Sequence, residues 1–173
     1  WGTALAVHLA RVGHEVHLWA RDSATVRDMH ERRANVVYLP DIHLPDGVRP
    51  TSSLEDALRD TDFVVCAIPS HGCRAVMRAA VAHLAPGAIL VSATKGLEAD
   101  SLLRMSEVIA QEAGLGHPVA VLSGPSFALE VAQERPTAVL IASHDAAVTE
   151  RVQAEFRGPF FRLYGADDVV GVE

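Results

Sequence analysis

The stretch Asp62–Glu98, DFVVCAIPSHGCRAVMRAAVAHLAPGAILVSATKGLE, decides the fold. It opens with a near-continuous apolar run, Phe63 to Ile68, which is the pattern of a strand buried on both faces and not on one. HGCRAVMRAAVAHL then spaces its apolar residues at helical intervals, and Pro86-Gly87 breaks the pattern. GAILVSAT is a second apolar run, ending at Thr94-Lys95-Gly96. Strand, helix, strand is the unit of a parallel sheet, because a crossover helix is what returns the chain to the starting edge.

The same alternation continues on both sides. Downstream, ADSLLRMSEVIAQEAG reads as helix, PVAVLSG as strand, SFALEVAQE as helix, TAVLIAS as strand, DAAVTERVQAEF as helix and FFRLYG as strand. Upstream, Gly2 to Val12 reads as a mostly buried helix that Gly13 terminates, EVHLWA as a strand, and DSATVRDMHERR as a helix capped by Asp22 or Ser23. The two prolines of ANVVYLPDIHLPDG argue for an irregular loop there. VRPTS follows as a strand candidate and SLEDALRD as a helix. Apolar strands separated by amphipathic helices predict a doubly wound α/β domain with a largely parallel sheet. Ligands of such sheets bind beyond the carboxyl ends of the strands. That selects four segments: WAR, IPSH, SATKG and LSGPS.

Composition narrows the function classes. A chain of 173 residues, 49% hydrophobic and 21% charged, has the length of one domain and enough apolar residues for a core. No run approaches the roughly 20 apolar residues of a bilayer helix. The formal net charge of −7 argues against a general affinity for nucleic acid and leaves small anionic ligands open. Cys66 and Cys73 have neither metal-site nor disulfide spacing, which fits a reducing cytoplasm. The nine histidines are scattered, without a ligand pattern, so no metal is expected.

Several residues carry chemistry. Trp1-Gly2 running into a helix of small residues looks like the last glycine of G-x-G-x-x-G, with a pyrophosphate seated on the helix N-terminus. Arg21-Asp22 stands about 20 residues later, where a dinucleotide fold reads the ribose: an acid favours NAD, an arginine accommodates the 2′-phosphate of NADP. Arg21 comes first, which favours NADP. Ser70 reads as a helix cap, and His71 has no visible partner. In LSGPSFALE, Gly124-Pro125 makes a tight turn and Ser126 opens the next helix, a place suited to a phosphate or carboxylate.

Lys95 is the only lysine among 14 arginines. A lone lysine is ordinarily a solvated surface residue. Its place at a strand end beside Thr94 and Gly96 favours a functional role instead. A compact ammonium there could bond a substrate oxygen, or stabilise negative charge on a carbonyl during hydride transfer.

WGTALA, LWAR, YLP, VVCAIPSH, SATKGLE and LSGPSFALEV, in this order and spacing, resemble the amino-terminal domain of bacterial NAD(P)-dependent glycerol-3-phosphate dehydrogenase, from Trp1 to Glu173. The resemblance implies a Rossmann-type fold and hydride transfer between NAD(P)H and dihydroxyacetone phosphate, giving sn-glycerol 3-phosphate for phospholipid synthesis. It implies that Lys95 contacts both cofactor and substrate, that Gly124 and Ser126 bind substrate, and that Trp1, Arg21, Tyr38 and Ala128 bind NADP or NAD. It also implies a cytoplasmic homodimer.

Two departures bear on activity. The family's leading strand with its first glycines is missing, and so is its helical carboxyl-terminal domain with a second lysine that donates the proton. Residues 1–173 therefore read as a dinucleotide-binding domain truncated at both ends, which alone is expected not to turn over. The absent strand is central in the order 3-2-1-4-5-6, so an open slot is expected between EVHLWA and DFVVCAIP. Two other functions compete: a related dehydrogenase acting on a hydroxy acid or ketopantoate, which S-G-P-S argues against, and a module that senses NAD(P) without chemistry.

Overall fold

The computed structural model describes every residue from Trp1 to Glu173. The first part comprises α1 (Gly2–Arg11), β1 (Val16–Trp19), α2 (Ser23–Arg32), β2 (Ala34–Asn35), β3 (Leu39–His43), β4 (Val48–Thr51) and α3 (Leu54–Leu58). The second comprises β5 (Phe63–Cys66), α4 (Ser70–Ala80), β6 (Ile89–Ser92), α5 (Met105–Ala113), β7 (Val119–Ser123), α6 (Ala128–Ala132), β8 (Thr137–Ser143), α7 (Ala146–Phe156), β9 (Phe161–Ala166) and α8 (Val169–Val172). A five-stranded sheet runs β5-β6-β7-β8-β9, and β1 pairs in parallel with β4 as a separate ribbon.

In the central strands β6 and β7 residues alternate between two covered faces, which is why those strands are apolar. Ile89 and Val91 of β6, Ala120 and Leu122 of β7, and Ile141 of β8 join Ala4, Leu5, Val7, Val148 and Val152 of α1 and α7 in one core. Leu90 of β6 and Cys66 of β5 face the other way, onto Cys73, Met77, Val108 and Ile109 of α4 and α5. Each fully buried Leu, Val or Ile contributes roughly 1.5–3 kcal/mol of transfer free energy. This is the doubly wound, Rossmann-type α/β fold.

Between β1 and β5 the ladder is interrupted. Their facing edges flank a cavity of about 580 Å³ lined by Leu5, Leu9, Val16, Leu18, Phe63 and Val65. It matches the slot expected between EVHLWA and DFVVCAIP. Packing against α1 and α3, not strand pairing, carries β1 and β4 beside the larger sheet.

The sheet is largely parallel, as expected, with one exception, and two local readings need correction. β7 and β8 run antiparallel, with Ser123 opposite Leu140. Their connection holds only the five-residue α6. The stretch expected as loop contains the antiparallel pair β2 and β3. Pro40 is tolerated because it sits exposed on a strand with one neighbour, while Leu39, Ile42 and Leu44 are buried in the main core. Lastly, α5 starts at Met105 and not near Ala99. Leu102 has a φ of 57° and Leu97 bridges Arg104, so the segment before α5 is a tight turn.

Candidate functional site

The strand ends of β5, β6 and β7 come together through side chains on the connecting turns. Thr94, just past β6, donates its hydroxyl to the Cys66 carbonyl at 2.9 Å and accepts from the Ile68 amide at 3.2 Å. The ends of β5 and β6 are thereby locked. Lys95 follows, exposed, and its Nζ donates to the Gly124 carbonyl at 3.1 Å. Ser126 Oγ donates to the same oxygen at 3.4 Å. The two motifs read separately in sequence, TKG and SGPS, meet at one carbonyl.

Both glycines at this meeting point are required by geometry. Gly96 has a φ of 101°, and a Cβ there would stand 3.5 Å from Ser70 Oγ. Gly124 has a φ of 148°, and its Cβ would come within 3.1 Å of the Val139 backbone on β8. Side chains of L-residues rarely adopt either φ.

The second arm of the site is the start of α1. Its N-cap Trp1 provides no side-chain bond, and the first helical bond is Leu5 N–H to Trp1 O, at 3.1 Å. The amides of Gly2, Thr3 and Ala4 thus retain the donor capacity and partial positive charge that suit an anion. A Cβ on Gly2 would stand 3.3 Å from the Ala67 Cβ, so this turn lies close beside the end of β5. Asn35, buried, donates Nδ2 to Thr3 Oγ1 at 2.9 Å and accepts the Tyr38 amide at 3.3 Å. That pair ties the turn bearing the exposed Tyr38 to the first turn of α1. Ala128 is the first residue of α6, which packs on α1.

Arg21 follows β1 and is exposed, with no ion pair. Its neighbour Asp22 is engaged: its carboxylate caps α2 by accepting from the Ala24 and Thr25 amides and, at 2.7 Å, from Thr25 Oγ1. The Thr25 hydroxyl, followed by the two amides, holds this carboxyl below its ordinary range.

Two sequence-read caps are not caps. Ser70 is the first residue of α4 behind Pro69, makes no capping bond, and lays its hydroxyl toward Gly96. Ser126 does not open a helix, because α6 begins at Ala128 with Phe127 as N-cap. Pro125 and the turn at Gly124 delay the helix, and Ser126 turns instead to the Gly124 carbonyl. His71 is exposed and makes no side-chain hydrogen bond. Cys66 and Cys73 are buried, and burial pushes their thiols up to about 12 and about 11, so neither is poised as a nucleophile.

The family model for the N-terminus of NAD-dependent glycerol-3-phosphate dehydrogenase matches residues 1–149. The chain belongs to that family. A glycerol-3-phosphate dehydrogenase (NAD(P)+) of Thioalkalivibrio sulfidiphilus is 45% identical over 173 residues, all of this chain and 52% of the relative. One from a Parafrankia strain is 48% identical over 174 residues, again covering 100% of this chain and 52% of its own length. The crystal structure of the Coxiella burnetii glycerol-3-phosphate dehydrogenase superimposes with a TM-score of 0.93 at 36% identity, over 100% of this chain and 53% of that one. The chain spans about half the length of the relatives it matches.

Sequence reasoning missed the residues that brace the site. Thr94 was visible only as a neighbour of Lys95, and the Thr3–Asn35 pair joins positions with no pattern between them. Arg74 was likewise read as one turn of a helix. In the fold its Nε and Nη2 donate to the two oxygens of Glu98 at 2.7 and 2.8 Å, and its Nη1 reaches Glu112 at 2.7 Å.

Proposed function

We propose that residues 1–173 are the dinucleotide-binding domain of an NAD(P)H-dependent glycerol-3-phosphate dehydrogenase that reduces dihydroxyacetone phosphate to sn-glycerol 3-phosphate. The observation that carries this is the contact of Lys95 Nζ with the Gly124 carbonyl, which brings the TKG and SGPS motifs to one point.

The residues fit a nicotinamide dinucleotide. The uncapped first turn of α1, at Trp1 and Gly2, takes the pyrophosphate, and Gly2 allows it a close approach. Arg21, with Asp22 turned away into its cap, takes a 2′-phosphate, which favours NADP over NAD. Tyr38 and Ala128 border the same ligand, and Lys95 reaches both ligands. The reduced nicotinamide supplies the hydride. Lys95 holds the substrate oxygen and stabilises its growing negative charge, Gly124 and Ser126 bind the substrate beside it, and the proton that completes the alcohol is assigned to the second lysine of the family's carboxyl-terminal domain. The full-length enzyme is taken to be a cytoplasmic homodimer whose product feeds phospholipid synthesis.

The test is to titrate NADPH and dihydroxyacetone phosphate separately into the full-length protein, then to follow NADPH oxidation with both present. Oxidation that depends on the triose phosphate is expected. NADPH binding with no oxidation would leave a sensor in its place.

A further inference from the structure

Lys95 stands on a turn that little else holds down. Leu97 and Leu102 are 52% and 70% exposed, and only Leu103, at the far end of the turn, packs on the apolar core of α4 and α5. Its own backbone closes it: the Glu98 amide donates to Leu103 O at 2.9 Å and the Leu102 amide to Glu98 O at 2.8 Å. That makes the turn a rigid unit without fixing where the unit sits.

The Glu98 side chain does fix it. It is only 18% exposed, and it accepts the two-pronged bond from Arg74, itself 27% exposed. Arg74 is on α4, whose first residue Ser70 lies against Gly96 of the same turn. The remaining donors of Arg74 go to Glu112 and Gln111 of α5, and Arg78 adds two more bonds to Glu112. One guanidinium therefore joins α4, α5 and the Lys95 turn. Bonds of this kind, charged and bidentate, fix angle as well as distance. Arg74 and the Ser101 hydroxyl also hold the Glu98 carboxyl down at about 2, so the bridge stays ionised at any ordinary pH.

We propose that Arg74 is a positioning residue for Lys95: its fork on Glu98 sets the turn against α4 and α5 and so aims the Lys95 ammonium at the Gly124 carbonyl and the substrate oxygen. The assignment rests on the function proposed above, and its test separates the two.

In the full-length protein, Arg74→Lys keeps the charge but loses the fork, and Glu98→Gln keeps the shape but loses the charge. Each is expected to lower kcat about tenfold or more while KM for NADPH stays within about twofold, because a misaimed group costs rate before it costs binding. Combined with Lys95→Ala, Arg74→Lys should lower the residual rate no further, since it acts through Lys95. Hydrogen exchange should rise in residues 95–103 of both single variants. An equal loss of rate in the presence and absence of Lys95 would overturn the proposal by showing a merely structural role. So would unchanged exchange of the turn. If the unsubstituted protein reduces no triose phosphate, the functional reading fails, and the exchange measurement alone still decides whether Arg74 holds the turn. Should Arg74→Lys not fold, Glu98→Gln carries the same comparisons.

Discussion

An ammonium carries three donors on a single point, and the Gly124 carbonyl uses one of those on Lys95. Two remain free on this exposed side chain. A guanidinium at position 95 would bring a wider planar fork whose donors diverge, so it does not reproduce the point contact of the ammonium with this oxygen. Lys95→Arg in the full-length protein should lower kcat by about 10² or more with the circular dichroism spectrum unchanged; near-normal turnover would refute the role. Past the end of β1, Arg21 has no ion pair and Asp22 is committed to α2. Arg21→Ala should weaken NADPH binding by about tenfold more than NADH binding, measured as the ratio of dissociation constants, and an unchanged ratio would remove Arg21 from the selection. The places of Lys95 after β6, Gly2 at the start of α1 and Arg21 just past β1 were legible because their signals are local: a strand end, a glycine before a helix, a fixed interval. Arg74 with Glu98 and Thr3 with Asn35 were not, because one sequence holds no record of which distant residues face one another.

Elements were legible where a period ran long enough. The strands β5 to β9 and the helix of α1 were all read near their observed places; β6 and β7 are buried on both faces, which leaves no other pattern, whereas β9 buries only Phe161 and Leu163. The misreadings fall where chain geometry overrides local preference: β3 around Pro40, the turn before α5, and the reversal at α6. The joint of α1 with α7 shows how much such packing depends on one polar residue. His8 is buried within α1, and its Nε2 donates to the Phe156 carbonyl at the end of α7, at 2.7 Å. Burial, with Arg11 and His14 nearby, lowers its pKa from 6.5, and the bond to Phe156 only partly offsets this. The unfolded chain therefore takes up a proton first, at about pH 6.5. Stability falls as pH drops through that value, and this loss levels off once pH is below the folded pKa. The full-length protein should show a melting temperature that declines from about pH 7 to about pH 5, and His8→Gln should flatten that decline. Equal slopes for both proteins would show that His8 is not the titrating group.

Across residues 1–173, the division into a ribbon and a five-stranded sheet follows from topology and not from any single residue. β1 and β5 do not pair with each other, and they flank a cavity of about 580 Å³. Strand geometry says which groups are exposed to it. In β1, the Val16 amide bonds Gly47 O, and the Ala20 amide that follows β1 bonds Thr51 O, so His17 and Trp19 point the other way, into the gap. In β5, Asp62 and Cys66 offer their carbonyls to Ile89 and Ala93 beside them, so Phe63 and Val65 point into the gap. By contrast, β6 and β7 are paired on both edges and buried on both faces. Local opening is cheapest where backbone groups lack partners and dearest where a strand is central. In the 173-residue chain, hydrogen exchange should accordingly be fast at the gap-facing amides of His17, Trp19, Phe63 and Val65. Those of Val91 and Val121 should be slower by about 10² or more. Comparable protection at Val65 and Val91 would mean that the two edges close onto each other in solution, and that the division into a ribbon and a five-stranded sheet does not persist there.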